Sequence, residues 1–254
     1  DPWAWQALVR PARRVPPGTV LVDPAQSQAP LVEVGASLGE GRRRVHLVAG
    51  EDAVLAIGEV PLPPYIHEPL ADPERYQTVY GDRPTSVAAP TAGLHLTTEV
   101  LDRCRAAGAE VATVELAVGL GTFRPITVDD VRDHHVHRER YRVPADTLAA
   151  CDAADRVVAI GTTAVRALES AAATGELEGS TYLYVRRGHR FAVVGALLTN
   201  FHVPRSSLLV LVDAFVGSRW RSLYEAALAE RYRFLSFGDA MFLPGPPLDG
   251  AAPR

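Results

Sequence analysis

Three stretches of this chain pass from an apolar run through a polar loop into an amphipathic run. They occupy residues 86–96 (SVAAPTAGLHL), 157–170 (VVAIGTTAVRALES) and 196–212 (ALLTNFHVPRSSLLVLV). Each reads as strand, loop and helix, and alternation of this kind is the pattern of an α/β protein. In such folds ligands bind at the carboxyl ends of the strands. Three converging loops would gather Thr91, His95, Thr162, Thr163, Arg166, Asn200 and His202 in one place, and that grouping points to an enzyme.

The pattern differs at the start of the chain. Residues 1–57 carry short alternating runs at 19–22, 31–34 and 44–48, divided by turn residues. These predict a small β-rich domain. PLPP at 61–64 is a stiff linker, and residues 58–254 form an α/β catalytic domain. Within it the spacing predicts a strand at 86–89, a helix at 97–107 stopped by Gly108, and a returning strand at 110–117. A helix at 144–154, a strand at 156–160 and a helix at 163–173 ended by Gly175 follow. Strands at 181–186 and 191–198 flank RRGH as a predicted hairpin. Pro204 lies near the start of the next helix. A helix at 218–231, a strand at 233–237 and a frayed tail from 243 complete the expectation. Right-handed crossovers place the helices outside a mostly parallel, open or barrel-like sheet.

Composition excludes several classes. At 254 residues, 47% apolar and 22% charged, the chain can build a sizeable core. No apolar run reaches the length of a membrane span, and no signal peptide opens the sequence. Cys104 and Cys151 are far apart, which suits a reduced, cytoplasmic setting better than a disulfide framework. The net charge of −4 does not mark the whole chain as a nucleic-acid binder. Arginine clusters at 42–44, 138–142, 186–190 and 219–221 are local exceptions. All 26 basic residues are arginine, so catalysis through a lysine Schiff base or a phosphate-loop lysine is excluded.

The loops carry specific chemistry. Gly161 permits close backbone approach, and Thr162 or Thr163 can cap a helix whose N–H groups face a ligand. Arg166 and Glu169 are three apart on that helix, placed either for substrate or for each other. His95 and His202, each in a strand-to-helix loop, are candidates for acid–base work near neutral pH. Thr91, Gly93, Asn200 (the only asparagine) and Phe201 are candidates for positioning substrate, Phe201 by stacking on a purine-like ring. His134, His137 and Glu139 raise a metal reading. Neither a helix nor a strand puts all three on one face, so a hydrogen-bonded substrate cluster is the better expectation.

Several motifs also resemble a known family. They are GEVPLPPYI at 58–66, YQTVYG at 76–81, PTAGLH at 90–95, GLGTFRPI at 119–126 and DHHVHRE at 133–139. ALES at 167–170, TNFHVPRSSLL at 199–209 and YRFLSFGDAM at 232–241 complete the set. In this order they resemble the S-adenosylmethionine:tRNA ribosyltransferase-isomerases of queuosine biosynthesis. Residues 5–18 extend the likeness more weakly. The resemblance implies an α/β-barrel-like catalytic domain with a small β-barrel inserted, and a family segment ahead of residue 1 that this sequence lacks. It implies a monomeric enzyme, free of membrane and metal, that uses S-adenosylmethionine as ribosyl donor. The acceptor would be tRNA carrying 7-aminomethyl-7-deazaguanine, and the product epoxyqueuosine in tRNA. Gly121 and Thr122 fall in the family's glycine turn and join the substrate-binding candidates. Two other classes stay open. One is a non-catalytic RNA-binding relative that keeps the arginine clusters. The other is a metal-dependent hydrolase built on His134, His137 and Glu139.

Overall fold

The structure, a computed structural model, describes residues 1–245 apart from positions 24, 26–27, 40, 64, 69, 83–85, 87 and 120–124. It divides into two units, Asp1–Val60 and Pro61–Arg254.

The first unit holds β1 (Ala4–Leu8), β2 (Val20–Val22), β3 (Pro30–Gly39), β4 (Arg42–Leu47) and a short helix, α1 (Glu51–Ala56). The strands pair antiparallel in the order β1-β4-β3-β2. Alternation along β3 and β4 buries Val34, Val45 and Leu47, and Trp5, Ala7 and Val54 pack against them. Gly39 and Gly41 supply the positive φ, 84° and 81°, of the β3–β4 connection. Among the described residues the expected small β-barrel does not close. Closure would need the outer strands to pair with consistent shear, and among the described residues the sheet ends at β1 and the three-residue β2.

The second unit contains α2 (Thr98–Ala106), β5 (Glu115–Ala117), β6 (Glu139–Arg142), α3 (Ala145–Ala153) and β7 (Val158–Ile160). It continues with α4 (Gly161–Thr174), β8 (Glu178–Thr181), β9 (Ala196–Asn200), α5 (Ser207–Val216), α6 (Trp220–Ala229) and β10 (Ala240–Leu243). One sheet runs β5-β6-β8 and is antiparallel throughout. The other runs β10-β9-β7, with β7 and β9 parallel and β10 antiparallel. The expected mostly parallel or barrel-like sheet is therefore corrected: among the described residues one strand pair is parallel, and neither sheet closes. Burial explains the division. β6 alternates buried and exposed residues, as an antiparallel sheet with one wet face requires. In β9 (ALLTN) four of five residues are fully buried, the sign of a strand covered on both faces.

Helix α4 joins the two sheets, touching β5 and β6 on one side and β7 and β9 on the other. Gly161, Thr162, Val165 and every residue from Ala167 to Ala171 are buried along it, so it is a core helix rather than a surface one. Gly175, at φ 74°, ends it by donating its N–H to Ala171 O. Helix α5 is apolar almost throughout. Its Leu211, Val212 and Phe215 are essentially inaccessible, and each such side chain contributes about 1.5–3 kcal/mol when buried.

Three further expectations change. Ser86, Ala88 and Ala89 lie outside any strand. The hairpin around RRGH does not form: β8 pairs with β6, and β9 with β7 and β10. The backbone N–H groups of Ala192, Val193 and Val194 donate instead to the Glu169 carboxylate, at 2.8–3.0 Å, so a side chain replaces the strand partner. Residues 233–237 form a turn, not a strand. Leu235 has φ 74°, and a Cβ on Gly238 would stand 2.3 Å from Arg233 O. Among the described residues the last strand is β10.

Candidate functional site

Ile160 ends β7 and Gly161 begins α4 with φ 85°. Only glycine adopts this without strain, and a Cβ there would already touch that of Ala92. No side chain caps the helix start, so the predicted capping by Thr162 or Thr163 does not occur. The first turn of α4 lies instead beside a cavity of about 340 Å³, lined in part by Gly161, Thr162 and Thr163. The end of β9, the 3-10 turn Thr91–His95 and the loop after Phe201 supply other walls. Two of the three predicted loops meet at this cavity through strand ends. The third reaches it through the 3-10 turn.

Asn200 ties two of the loops together. Its Oδ1 accepts from Thr91 Oγ1 at 3.1 Å, and its Nδ2 lies 3.1 Å from His95 Nε2. An amide nitrogen only donates, so Nε2 accepts and the neutral ring carries its proton on Nδ1. Rotating the amide by half a turn reverses both bonds and makes Nδ1 the basic nitrogen. His95 is exposed and does not line the cavity, but is hydrogen-bonded to Asn200, which does.

His202 lies on the wall but in a different setting. It is buried, its Nε2 shares a 2.9 Å hydrogen bond with Thr199 Oγ1, and its backbone N–H donates to Tyr224 OH. Burial pushes its pKa down to about 4, so it is neutral at physiological pH. Phe201 also lines the cavity while packing against Tyr224, Tyr232 and Phe234. Gly93 has a packing role. A Cβ there would fall 1.9 Å from Tyr80 OH and 2.9 Å from Thr78 Cγ2.

Arg166 and Glu169 do not pair with each other. Glu169 is consumed by the three backbone N–H groups and by His189 at 3.3 Å. Arg166 forms an ion pair with Glu139 of β6 and donates from Nε to Leu183 O at 3.1 Å. Its Nη2 is buried with no hydrogen-bond partner among the described residues. Arg166 also forms the partition between the first cavity and a second, of about 370 Å³, which His134, His137, Glu139 and Tyr184 help to line. His134 packs edge-on against Tyr184, with ring centroids 5.6 Å apart. Its pKa is lowered by burial, then by His135 and His137. Among the described residues no three His, Cys, Asp or Glu side chains are gathered as a cation site. Gly121 and Thr122 lie outside the described residues.

Sequence reasoning passed over Tyr65, Ser236 and Tyr184. Tyr65 OH and Ser236 Oγ are 2.8 Å apart at the first cavity. Both fall inside motifs that carried the family resemblance, PLPPYI and FLSFGDAM, which was the available signal. Tyr184 sits in TYLYV, where nothing separates it from an ordinary strand tyrosine.

Comparison with known proteins gives the family of the chain. The profile of the family described as "Queuosine biosynthesis protein" matches residues 2–243. An S-adenosylmethionine:tRNA ribosyltransferase-isomerase of Rubrobacter xylanophilus is 50% identical over 247 residues, covering 95% of this chain and 72% of the relative. One of Acaryochloris marina is 47% identical, covering 96% and 70%. A crystal structure of S-adenosylmethionine tRNA ribosyltransferase from Thermotoga maritima superimposes with a TM-score of 0.50 at 30% identity, covering 95% of this chain and 71% of that one. The chain belongs to the queuosine biosynthesis protein family.

Proposed function

We propose that this chain is an S-adenosylmethionine:tRNA ribosyltransferase-isomerase. It transfers and isomerises the ribosyl group of S-adenosylmethionine onto 7-aminomethyl-7-deazaguanine in tRNA, giving epoxyqueuosine. Adenine and methionine leave. The reaction asks for three things: a base near the 5′-carbon, whose protons the neighbouring sulfonium acidifies; stabilisation of the departing adenine; and an uncharged acceptor amine held close.

The observation that carries this reading is the first cavity, where the uncapped start of α4 faces largely apolar walls. A purine fits such walls. As adenine leaves, charge builds on its ring nitrogens, and the N–H groups and positive end of a helix stabilise charge of that sign. Thr91, Thr162, Thr163 and Asn200 supply polar contacts around it, and Gly161 gives the backbone access. His95 is the proposed proton-transfer residue, its tautomer set by Asn200. His202, neutral and held by Thr199, holds the cavity's shape and polarity and contributes a second imidazole. His134, His137 and Glu139 serve the polar end of the substrates.

The tRNA would bind to exposed arginines. Arg138 and Arg140, exposed, follow the second cavity's histidine segment, and Arg186 and Arg190 are likewise exposed. Arginine holds phosphate bidentately and stacks on bases. Cys104 and Cys151 are free thiols, as a reducing cytoplasm keeps them. Among the described residues no helix is long and apolar enough to cross a membrane.

The test is adenine release in the presence of tRNA bearing the deazaguanine, with donor labelled on its methyl group. Label recovered in methionine, and none in the tRNA, is the expected outcome. Label in the tRNA base would show methyl transfer and remove the assignment. Charge reversal at Arg138 and Arg140 should weaken tRNA binding and flatten its salt dependence, since fewer counterions are released.

A further inference from the structure

The aromatic residues of the first cavity differ in what they can offer a ligand. Among the described residues that line it, Tyr65 and Phe201 carry aromatic rings, beside the imidazole of His202. A planar base stacks on aromatic surface that it can reach. Phe201 is 4% exposed, and its ring packs on Tyr224, Tyr232 and Phe234 with centroids 4.9–5.9 Å apart. His202 is buried too. Tyr65 is 37% exposed. The stacking role that the sequence suggested for Phe201 has almost no surface to act through, whereas Tyr65 does.

Tyr65 is also tied. Its OH lies 2.8 Å from Ser236 Oγ, and Ser236 is buried. The turn at 233–239 sets the position of that serine. Asp239 N–H donates to Arg233 O at 2.7 Å, and Arg233 N–H donates to the Asp239 carboxylate at 2.6 Å. Leu235 N–H donates to Phe201 O at 2.9 Å, which fastens the turn to the loop after β9. Leu235 itself holds φ 74°, a region that leucine enters only where its surroundings impose it. A free tyrosine loses rotamer freedom when it stacks. One already held at its hydroxyl loses less.

We propose that Tyr65 is the stacking wall for the purine of the ribosyl donor, with Ser236 as the residue that positions its ring. This rests on the reading of the first cavity as the donor's purine site. The face of a phenol ring is negative. It attracts a neutral adenine but gains nothing as negative charge builds on the leaving ring, so it binds ground state and transition state alike. Tyr65 governs how tightly the donor is held, and the start of α4 governs how readily adenine leaves.

The experiment is calorimetric titration of the chain and of Tyr65→Leu, Tyr65→Phe and Ser236→Ala with three probes: S-adenosylmethionine, free adenine and free 7-aminomethyl-7-deazaguanine. Donor KM and kcat are measured beside it, on tRNA bearing the deazaguanine. Tyr65→Leu removes the ring. It should weaken S-adenosylmethionine and adenine alike by about tenfold, within the range of base–aromatic stacking. Donor KM should rise in step, with kcat within about twofold. Tyr65→Phe and Ser236→Ala keep the ring and lose the tie, and each should cost about two- to threefold. Unchanged binding in Tyr65→Leu would overturn the proposal. So would equal losses in Tyr65→Leu and Tyr65→Phe, which would make the hydroxyl the contact, or a fall in kcat at constant KM. A loss confined to the free deazaguanine would give the ring to the acceptor and overturn it too. If Tyr65→Leu does not fold, Tyr65→Phe decides: a two- to threefold loss there supports the ring, and about a tenfold loss sinks it. Failure of the parent to bind either S-adenosylmethionine or adenine would remove the purine reading of the cavity, and the stacking wall with it.

Discussion

The junctions β7–α4 and β9–α5 look alike in sequence and behave in opposite ways. Each is an apolar strand running into a helix through threonines and other polar residues. At β9–α5 the polar groups are spent internally. Ser206 Oγ caps α5 by accepting from Leu209 N–H at 3.2 Å, Thr199 holds His202, and Tyr224 takes the His202 N–H. At β7–α4 no side chain caps the helix, and one N–H-bearing nitrogen of Arg166 lacks a partner among the described residues. A polar side chain in a strand-end loop is available to a ligand only when the fold has not already used its hydrogen-bonding capacity. Asn200 and Thr199, neighbours on β9, send their polar groups to different partners, one toward Thr91 and His95, the other toward His202, and the Asn200 amide keeps a second N–H and a second lone pair.

This contrast can be broken in four ways. The largest effect belongs to His95, which is exposed and therefore cheap to replace. His95→Ala should reduce turnover by about 10²–10⁴, the range for general acid–base catalysis, with little change in melting temperature. A near-normal rate in a folded variant would remove His95 from the chemistry.

Arg166 comes next. Arg166→Met leaves the buried Glu139 without its arginine, and breaking a buried pair from one side costs about 3–5 kcal/mol. Urea unfolding measures it. The double variant Arg166→Met/Glu139→Leu should recover most of that stability and none of the activity. Recovery of both would make the pair purely structural.

The third test is His202. Its folded-state pKa of about 4 lies below the unfolded value of 6.5. Between those values the unfolded chain binds a proton that the native one refuses. The stabilisation is full above pH 6.5 and is lost as pH falls toward 4, by up to about 1.4 kcal/mol per pH unit. His202→Gln should cost about 1–3 kcal/mol at neutral pH through its buried partners. It should also flatten the pH dependence of the urea midpoint in that window. An unchanged slope would show that His202 is not the group resisting acid.

The smallest effect separates the two helix starts. Ser206→Ala should lower stability by about 1 kcal/mol, the usual worth of an N-cap. Thr163→Ala should leave stability nearly unchanged, because it caps nothing, yet weaken donor binding. Equal stability losses would erase the distinction between the junctions.

Local order was largely written in the sequence. The helices at 97–107, 163–173 and 218–231 follow from apolar spacing and stop signals, and Gly108 and Gly175 do take positive φ, 90° and 74°. These are decisions made within a few residues, where backbone sterics act directly. The gathering of Thr162, Thr163, Arg166, Asn200 and His202 around one space was also legible, because β7 and β9 run parallel and their carboxyl ends lie together; Thr91 joins them from a 3-10 turn, and His95, expected with them, does not line the space. What tertiary structure alone decided is which partner each polar group finds. Residues 191–198 read as one strand, yet the N–H groups of Ala192, Val193 and Val194 go to Glu169, because α4 delivers a carboxylate to that backbone. Arg166 faces Glu139 rather than Glu169, three residues away, because β6 packs beside it. Gly93 reads as a ligand-side glycine, and Tyr80 and Thr78 from another segment fill the space its Cβ would take. Sequence spacing fixes which face of a helix or strand a residue occupies. It holds no information about what another element, dozens of residues away, brings against that face, and the hydrogen bond made there determines whether the residue is scaffold or site.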